Sequence, residues 1–186
     1  MANLSKGDWR QTLLQKRQNL APSQWRNWND RLCHHVLTTP WFASAQTVLA
    51  YWPVRQEPDL LPLLLEHPKR WGLPRCLNDQ LVFHTWQPTD VLQKGHYGIQ
   101  APSPQAPQLS ACEVDLILVP AVGCDRAGYR LGYGGGYYDR LRAQPDWQQI
   151  PAIGITFEFA VIEHFPHDDW DQPLSGICTE AGFFAV

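Results

Sequence analysis

Residues 114–120 form an apolar run carried by Val114, Leu116, Ile117, Leu118 and Val119. It ends at Pro120 and is soon followed by four glycines in five positions, Gly132, Gly134, Gly135 and Gly136. A run of that length, bounded by turn residues, reads as a buried strand. A helix is expected from about residue 136 to 142, and a further strand at 152–155, carried by Ala152, Ile153 and Ile155. Strand, loop, helix and strand in that order make a βαβ unit, in which the strands are parallel and the helix covers the sheet.

The rest of the chain is consistent with that unit. Trp9, Leu13 and Leu20 suggest a first helix. Trp25, Trp28, Leu32, Val36 and Leu37 fall on one face of a second, with Ser23 as its expected N-cap and Pro40 as its stop. Residues 47–52 read as a buried strand and 59–66 as a helix capped by Asp59, with Pro62 in its first turn. Strands are expected at 70–75 and 80–86 around an Asn78-Asp79 turn, and a proline-rich loop at 101–107. The predicted fold is α/β: a mostly parallel, Rossmann-like sheet between layers of helices. It is expected to form a single domain over residues 1–186, with residues 1–40 as a helical N-terminal part.

Charge narrows the function. The net charge of −3 and the lack of a long basic stripe argue against nucleic acid as a partner. The charges are unevenly spread: residues 1–31 sum to +4 and residues 157–186 to −6. Either the two ends are solvated and attract each other weakly, or the basic end meets an anionic substrate while the acidic end offers a metal ligand. Cys33, Cys76, Cys112, Cys124 and Cys178 are odd in number and form no CxxC pair, so reduced thiols in the cytoplasm are expected. No run of about 18 apolar residues is present to cross a membrane, and no apolar leader is evident.

The chemistry concentrates between Arg130 and Asp139. Closely spaced glycines after a buried strand let backbone N–H groups converge on an anion. Arg130 and Arg140 flank the loop as possible phosphate contacts, and Asp139 at the helix start suits Mg²⁺, the companion of a nucleoside triphosphate. The segment is not a Walker A loop, nor does it carry the acidic residue of a dinucleotide fingerprint. His164 and His167 lack further ligands at zinc spacing, His34-His35 reads as a surface pair, and Cys124 reads as packing rather than nucleophile.

Val119-Pro120, Asp125, Gly128 and the run Arg130-Leu131-Gly132-Tyr133-Gly134-Gly135-Gly136-Tyr137-Tyr138-Asp139 closely resemble the signature of the 5-formyltetrahydrofolate cyclo-ligase family. The resemblance extends in order through Lys6 and Arg10, Trp52 to Glu57, the Tyr97-Gly98-Ile99 element with Pro102, residues 166–171, and Thr179-Glu180. It implies ATP-dependent ring closure of 5-formyltetrahydrofolate to 5,10-methenyltetrahydrofolate with Mg²⁺, releasing ADP and phosphate. ATP contacts are then expected at Lys6, Arg10, Arg130, Leu131, Gly132, Tyr133, Gly134, Gly135, Gly136, Tyr137 and Tyr138. Folate contacts are expected at Trp52 and Glu57 and along Tyr133, Gly134, Gly135, Gly136 and Tyr137, and metal ligation at Asp139 and Asp171. The implied partners are these two small molecules, acting on a monomer. Trp52 also reads as core at a strand end, Glu57 as a helix-start carboxylate, and Lys6 with Arg10 as a solvated helix face. Pro58 and Tyr133 depart from the residues usual in the family. A folate-binding module without turnover, or another phosphoryl-transfer enzyme on this fold, are the alternative readings.

Overall fold

In the computed structural model, which describes residues 4–186, Ser5 opens the first helix, α1 (Lys6–Gln18). Its Oγ accepts from Asp8 N at 3.2 Å while Asp8 Oδ2 accepts from Ser5 N at 3.0 Å, a reciprocal cap that satisfies two orphan donors. Helix α2 (Pro22–Thr38) follows, then the short α3 (Pro40–Ser44) and strand β1 (Thr47–Leu49). Helix α4 (Leu61–Glu66) leads to the hairpin of β2 (Arg70–Leu77) and β3 (Gln80–Trp86). Three two-residue strands come next: β4 (Gln93–Lys94), β5 (Gln100–Ala101) and β6 (Gln108–Leu109). After β7 (Leu116–Pro120) comes a small hairpin, β8 (Gly123–Asp125) and β9 (Arg130–Leu131), then α5 (Tyr137–Arg142) and α6 (Pro145–Gln148). The chain closes with β10 (Ala152–Ile155), β11 (Val161–Ile162), β12 (Gly176–Cys178) and β13 (Phe183–Ala185).

Eight strands form one sheet in the order β13-β12-β10-β7-β1-β2-β3-β6. The five from β12 to β2 are parallel, and antiparallel strands finish both edges. Side chains alternate between two cores, as the strand period of two requires. Val48, Leu116, Leu118, Ile153 and Ile155 face α2, α3 and α4 through Leu32, Val36, Phe42 and Leu63. Leu49, Ile117, Val119 and Ala152 face α5 and α6 through Tyr138, Leu141 and Trp147. Burial on both faces is why the central strands read as unbroken apolar runs. The fold is therefore mixed α/β, a mostly parallel sheet between helical layers, as expected.

Several local expectations are corrected. Helix α2 starts at Pro22 with Ala21 as N-cap and no side-chain cap, because proline at the first position has its φ preset and no N–H to satisfy, so Ser23 is already inside. Pro40 follows the end of α2 but also starts α3, whose Phe42 N donates to Thr39 Oγ1 at 3.2 Å. Helix α4 begins at Leu61, and Asp59 Oδ1 accepts from Leu61 N at 2.9 Å. The first strand ends at Leu49, so Trp52 and Glu57 belong to the loop beyond it. Strand β2 runs on to Leu77, where Asn78 takes a left-handed φ of 55° in the turn to β3.

Candidate active site

From β1 the chain first steps outward through β2 and β3, then returns to the opposite side of β1 with β7 and steps outward through β10 and β12. The reversal makes a switch point at the carboxyl ends of β1 and β7, where a ligand crevice is expected in an open α/β sheet. Two loops line it: residues 50–60 after β1 and residues 121–136 around the β8–β9 hairpin. Helix α1 packs against that hairpin through Leu13, beside Val122, Leu131 and Phe165, with Trp9 edge-on to Phe165 at 5.9 Å.

Along α1, Lys6, Arg10, Leu13 and Arg17 recur every three or four residues and share one face. Lys6 Nζ donates to Asp171 at 2.5 Å and to Asp168 at 2.6 Å, so the basic and acidic ends of the chain meet here. Burial opposes the Lys6 charge, but those hydrogen bonds outweigh it and raise its pKa. Arg10 Nε donates to Gly132 O at 2.7 Å. Arg17, which the sequence reading passed over, is 2 % exposed. It donates to Arg55 O at 3.1 Å, to Ala121 O at 3.3 Å and to the Tyr133 hydroxyl. The signal for it was the continuation of the Lys6–Arg10 spacing by two turns.

In the glycine-rich segment, Arg130 Nη2 donates to Asp139 Oδ2 at 2.9 Å, and its guanidinium lies 5.3 Å from the Tyr138 ring centroid. Gly132 makes that position possible: a Cβ there would stand 2.3 Å from Arg130 Nη1. Gly136 is the N-cap of α5 in the left-handed region, φ 66°, where a side chain would be strained. Leu131 is buried, Gly134 lies beside the Arg10 guanidinium, and Gly135 lies beneath the Tyr137 ring. Arg140 passes Gly136, where a Cβ would stand 2.7 Å from its Nη1, and reaches beyond the loop. It donates to Asp79 O at 2.8 Å and stacks over Tyr137, clasping the β2–β3 turn. Tyr137 donates to Asn78 O at 3.1 Å, with its hydroxyl 3.4 Å from that of Tyr97, so the Tyr97-Gly98-Ile99 element reaches the glycine-rich segment.

Glu57 is 2 % exposed, and its Oε2 accepts from Val54 N at 2.9 Å. Burial raises its pKa, against the pull of the Val54 N–H, the Arg17 charge and a hydrogen bond with Tyr133. Burial and the Glu57 charge likewise raise the pKa of Tyr133. Trp52 is half-buried, edge-on to Trp86 at 6.5 Å. Near the C-terminus, Thr179 Oγ1 donates to Glu158 Oε2 at 2.7 Å and Glu180 Oε2 accepts from Glu158 N at 2.8 Å, tying down the loop after β10.

Other candidates are structural. Burial pushes the Cys124 thiol up to about 12, which keeps it protonated and a poor nucleophile. His167 stacks on Tyr129 at 4.0 Å. A hollow of about 790 Å³ opens at the opposite, amino-terminal end of the strands, beside Trp41, Ser110 and Asp146. Asp115, which also lines it, already accepts from Gln46 N and Thr47 N. Among the described residues no group of three His, Cys, Asp or Glu side chains could hold a metal ion. Asp139 and Asp171 each pair with a cation of the chain instead, Arg130 and Lys6.

An α/β sheet with a glycine-rich, cation-lined segment at its switch point defines a class: α/β proteins built to take small molecules at the carboxyl ends of their strands. A model of the 5-formyltetrahydrofolate cyclo-ligase family matches residues 2–180, and the chain belongs to that family of ligases. It is 28% identical over 172 residues to the 5-formyltetrahydrofolate cyclo-ligase of Escherichia coli K12, covering 89% of this chain and 94% of that protein. Its identity to the 5-formyltetrahydrofolate cyclo-ligase of Mycolicibacterium smegmatis is 35% over 147 residues, 73% of this chain and 74% of that one. The NMR structure of Aquifex aeolicus 5,10-methenyltetrahydrofolate synthetase superposes with a TM-score of 0.85 at 31% identity, covering 97% of this chain and 92% of its own.

Proposed function

We propose that this enzyme closes the ring of 5-formyltetrahydrofolate to 5,10-methenyltetrahydrofolate and consumes ATP in doing so. The observation that carries this reading is the convergence of α1, the Glu57 loop and the glycine-rich segment on one crevice, joined by hydrogen bonds from Arg10 and Arg17. The formyl oxygen is a poor leaving group. Transfer of the γ-phosphoryl group to it gives an imidate-like phosphate. N10 then attacks the formyl carbon, its proton is released, and phosphate departs with the original formyl oxygen. ADP and phosphate are the by-products.

The chain's contribution is positioning and charge. Lys6 and Arg10 contact the ATP phosphates, and residues 130–138 wrap them. Trp52 borders the pterin, and the Glu57 carboxylate accepts hydrogen bonds from folate N–H groups. Asp139 and Asp171 would hold a Mg²⁺ ion carried on the nucleotide, which would supply further neutralisation of phosphate charge. The enzyme works as a single-domain monomer in the cytoplasm. Its free cysteines agree with that location.

The test is the near-ultraviolet absorbance of a methenyl-folate product formed from folinic acid and Mg-ATP. Absorbance should rise only with both ATP and Mg²⁺ present, and should not rise in Arg130→Ala or Asp139→Ala. A folded protein that binds ATP without that rise is a phosphoryl-transfer enzyme for another substrate. One that binds folate and releases no ADP is a binding module.

A further inference from the structure

Arg55 and Gln56 are consecutive non-glycine residues with left-handed φ values of 48° and 57°. Such backbone persists only where its surroundings impose it, and it gathers at functional sites. Here two helices impose it through the carbonyls of those two residues. Arg17 Nε, from α1, donates to Arg55 O at 3.1 Å, and Trp25 Nε1, from α2, donates to Gln56 O at 3.1 Å. The next residue is Glu57, whose N–H donates to Val54 O at 2.9 Å and whose carboxylate is turned into the interior. Arg17 Nη1 donates to Ala121 O, just past β7, and Nη2 to the hydroxyl of Tyr133 in the glycine-rich segment. Among the described residues this buried guanidinium forms no direct ion pair. Its donors are spent on three separate segments, and each lies at the carboxyl end of the sheet. A guanidinium is a rigid, planar fork, so motion of one partner is felt by the others.

We propose that Arg17 is a positioning residue that couples the two halves of the site, so that anion binding at the glycine-rich segment tightens the pocket served by Glu57. This rests on the functional reading above. Beside the direct hydrogen bond between Tyr133 and Glu57, the link runs from Tyr133 through the guanidinium to the strained carbonyl of Arg55 and so to Glu57, and by linkage it must act equally in both directions.

Two measurements test it, one of them free of ligand. Hydrogen exchange on the unliganded protein should show the Glu57 amide exchanging at least about tenfold faster in Arg17→Lys than in the parent, with β7 amides unchanged. An unchanged Glu57 amide would overturn the clamp. The second measurement is the affinity for folinic acid with and without a non-hydrolysable ATP analogue and Mg²⁺. The parent should bind about tenfold more tightly with the analogue, and Arg17→Lys and Tyr133→Phe should each lose that enhancement to within about twofold. A purely structural role would weaken both ligands and leave the ratio intact. No enhancement in the parent, or full enhancement in either variant, would overturn the coupling. Tyr133→Phe keeps the ring and removes one hydroxyl, so it remains informative if Arg17→Lys does not fold. If the parent binds neither ligand, the functional reading falls and the exchange measurement still decides the clamp.

Discussion

Glu57 illustrates how burial sets the behaviour of one side chain. Because burial raises its pKa, the folded protein holds a proton on this carboxyl more tightly than the unfolded chain does. Ionised Glu57 therefore costs stability above its folded pKa, and the cost fades as pH falls through that value towards the ordinary 4.5. Glu57→Gln should melt higher than the parent at about pH 8, with the difference shrinking on acidification, while turnover of folinic acid falls about 100-fold. The two ion pairs of the crevice should respond differently to truncation. Arg130 and Asp139 expose only 7% and 16% of their side chains, so Asp139→Ala strands a buried guanidinium and should cost about 3 kcal/mol in urea unfolding. Lys6 is 27% exposed and keeps Asp168 as a second partner, so Asp171→Ala should cost under about 1 kcal/mol. A residue with Arg17's role is hard to find in sequence, because a pattern of apolar positions scores every arginine as solvent-facing.

Among the elements, legibility followed length and burial. Strands β1, β7 and β10 stood out because both of their faces are covered and their apolar runs are unbroken. The β8–β9 hairpin did not, since Gly123-Cys124-Asp125 and Arg130-Leu131 form no apolar run that a strand pattern could mark. The glycine-rich segment was visible, but its internal geometry was not. That Arg130 lies along the loop while Arg140 clasps the β2–β3 turn depends on which glycine leaves room for which guanidinium. Gly132→Ala tests that point. The added carbon would meet Arg130 Nη1, so the guanidinium must shift away from Asp139. A displacement of about 1 Å is enough to cost roughly 100-fold in kcat/KM, which steady-state kinetics would reveal.

Across the whole molecule, the crevice draws on residues 6–17, 50–57, 121–139 and 168–171, so it exists only once both ends of the chain have docked on the sheet. Their meeting has a kinetic consequence. Those four segments carry seven Lys or Arg residues and seven Asp or Glu residues. With the sum near zero, little field reaches beyond a Debye length of about 8 Å to steer an approaching anion. Stopped-flow association of Mg-ATP should therefore slow by less than about twofold between dilute buffer and physiological salt, whereas exposed, unpaired arginines would give a steep decline. A nucleotide has to be recognised by what it exchanges at contact, phosphate for carboxylate, and stray anions drifting past meet a doorway with no charge to offer them.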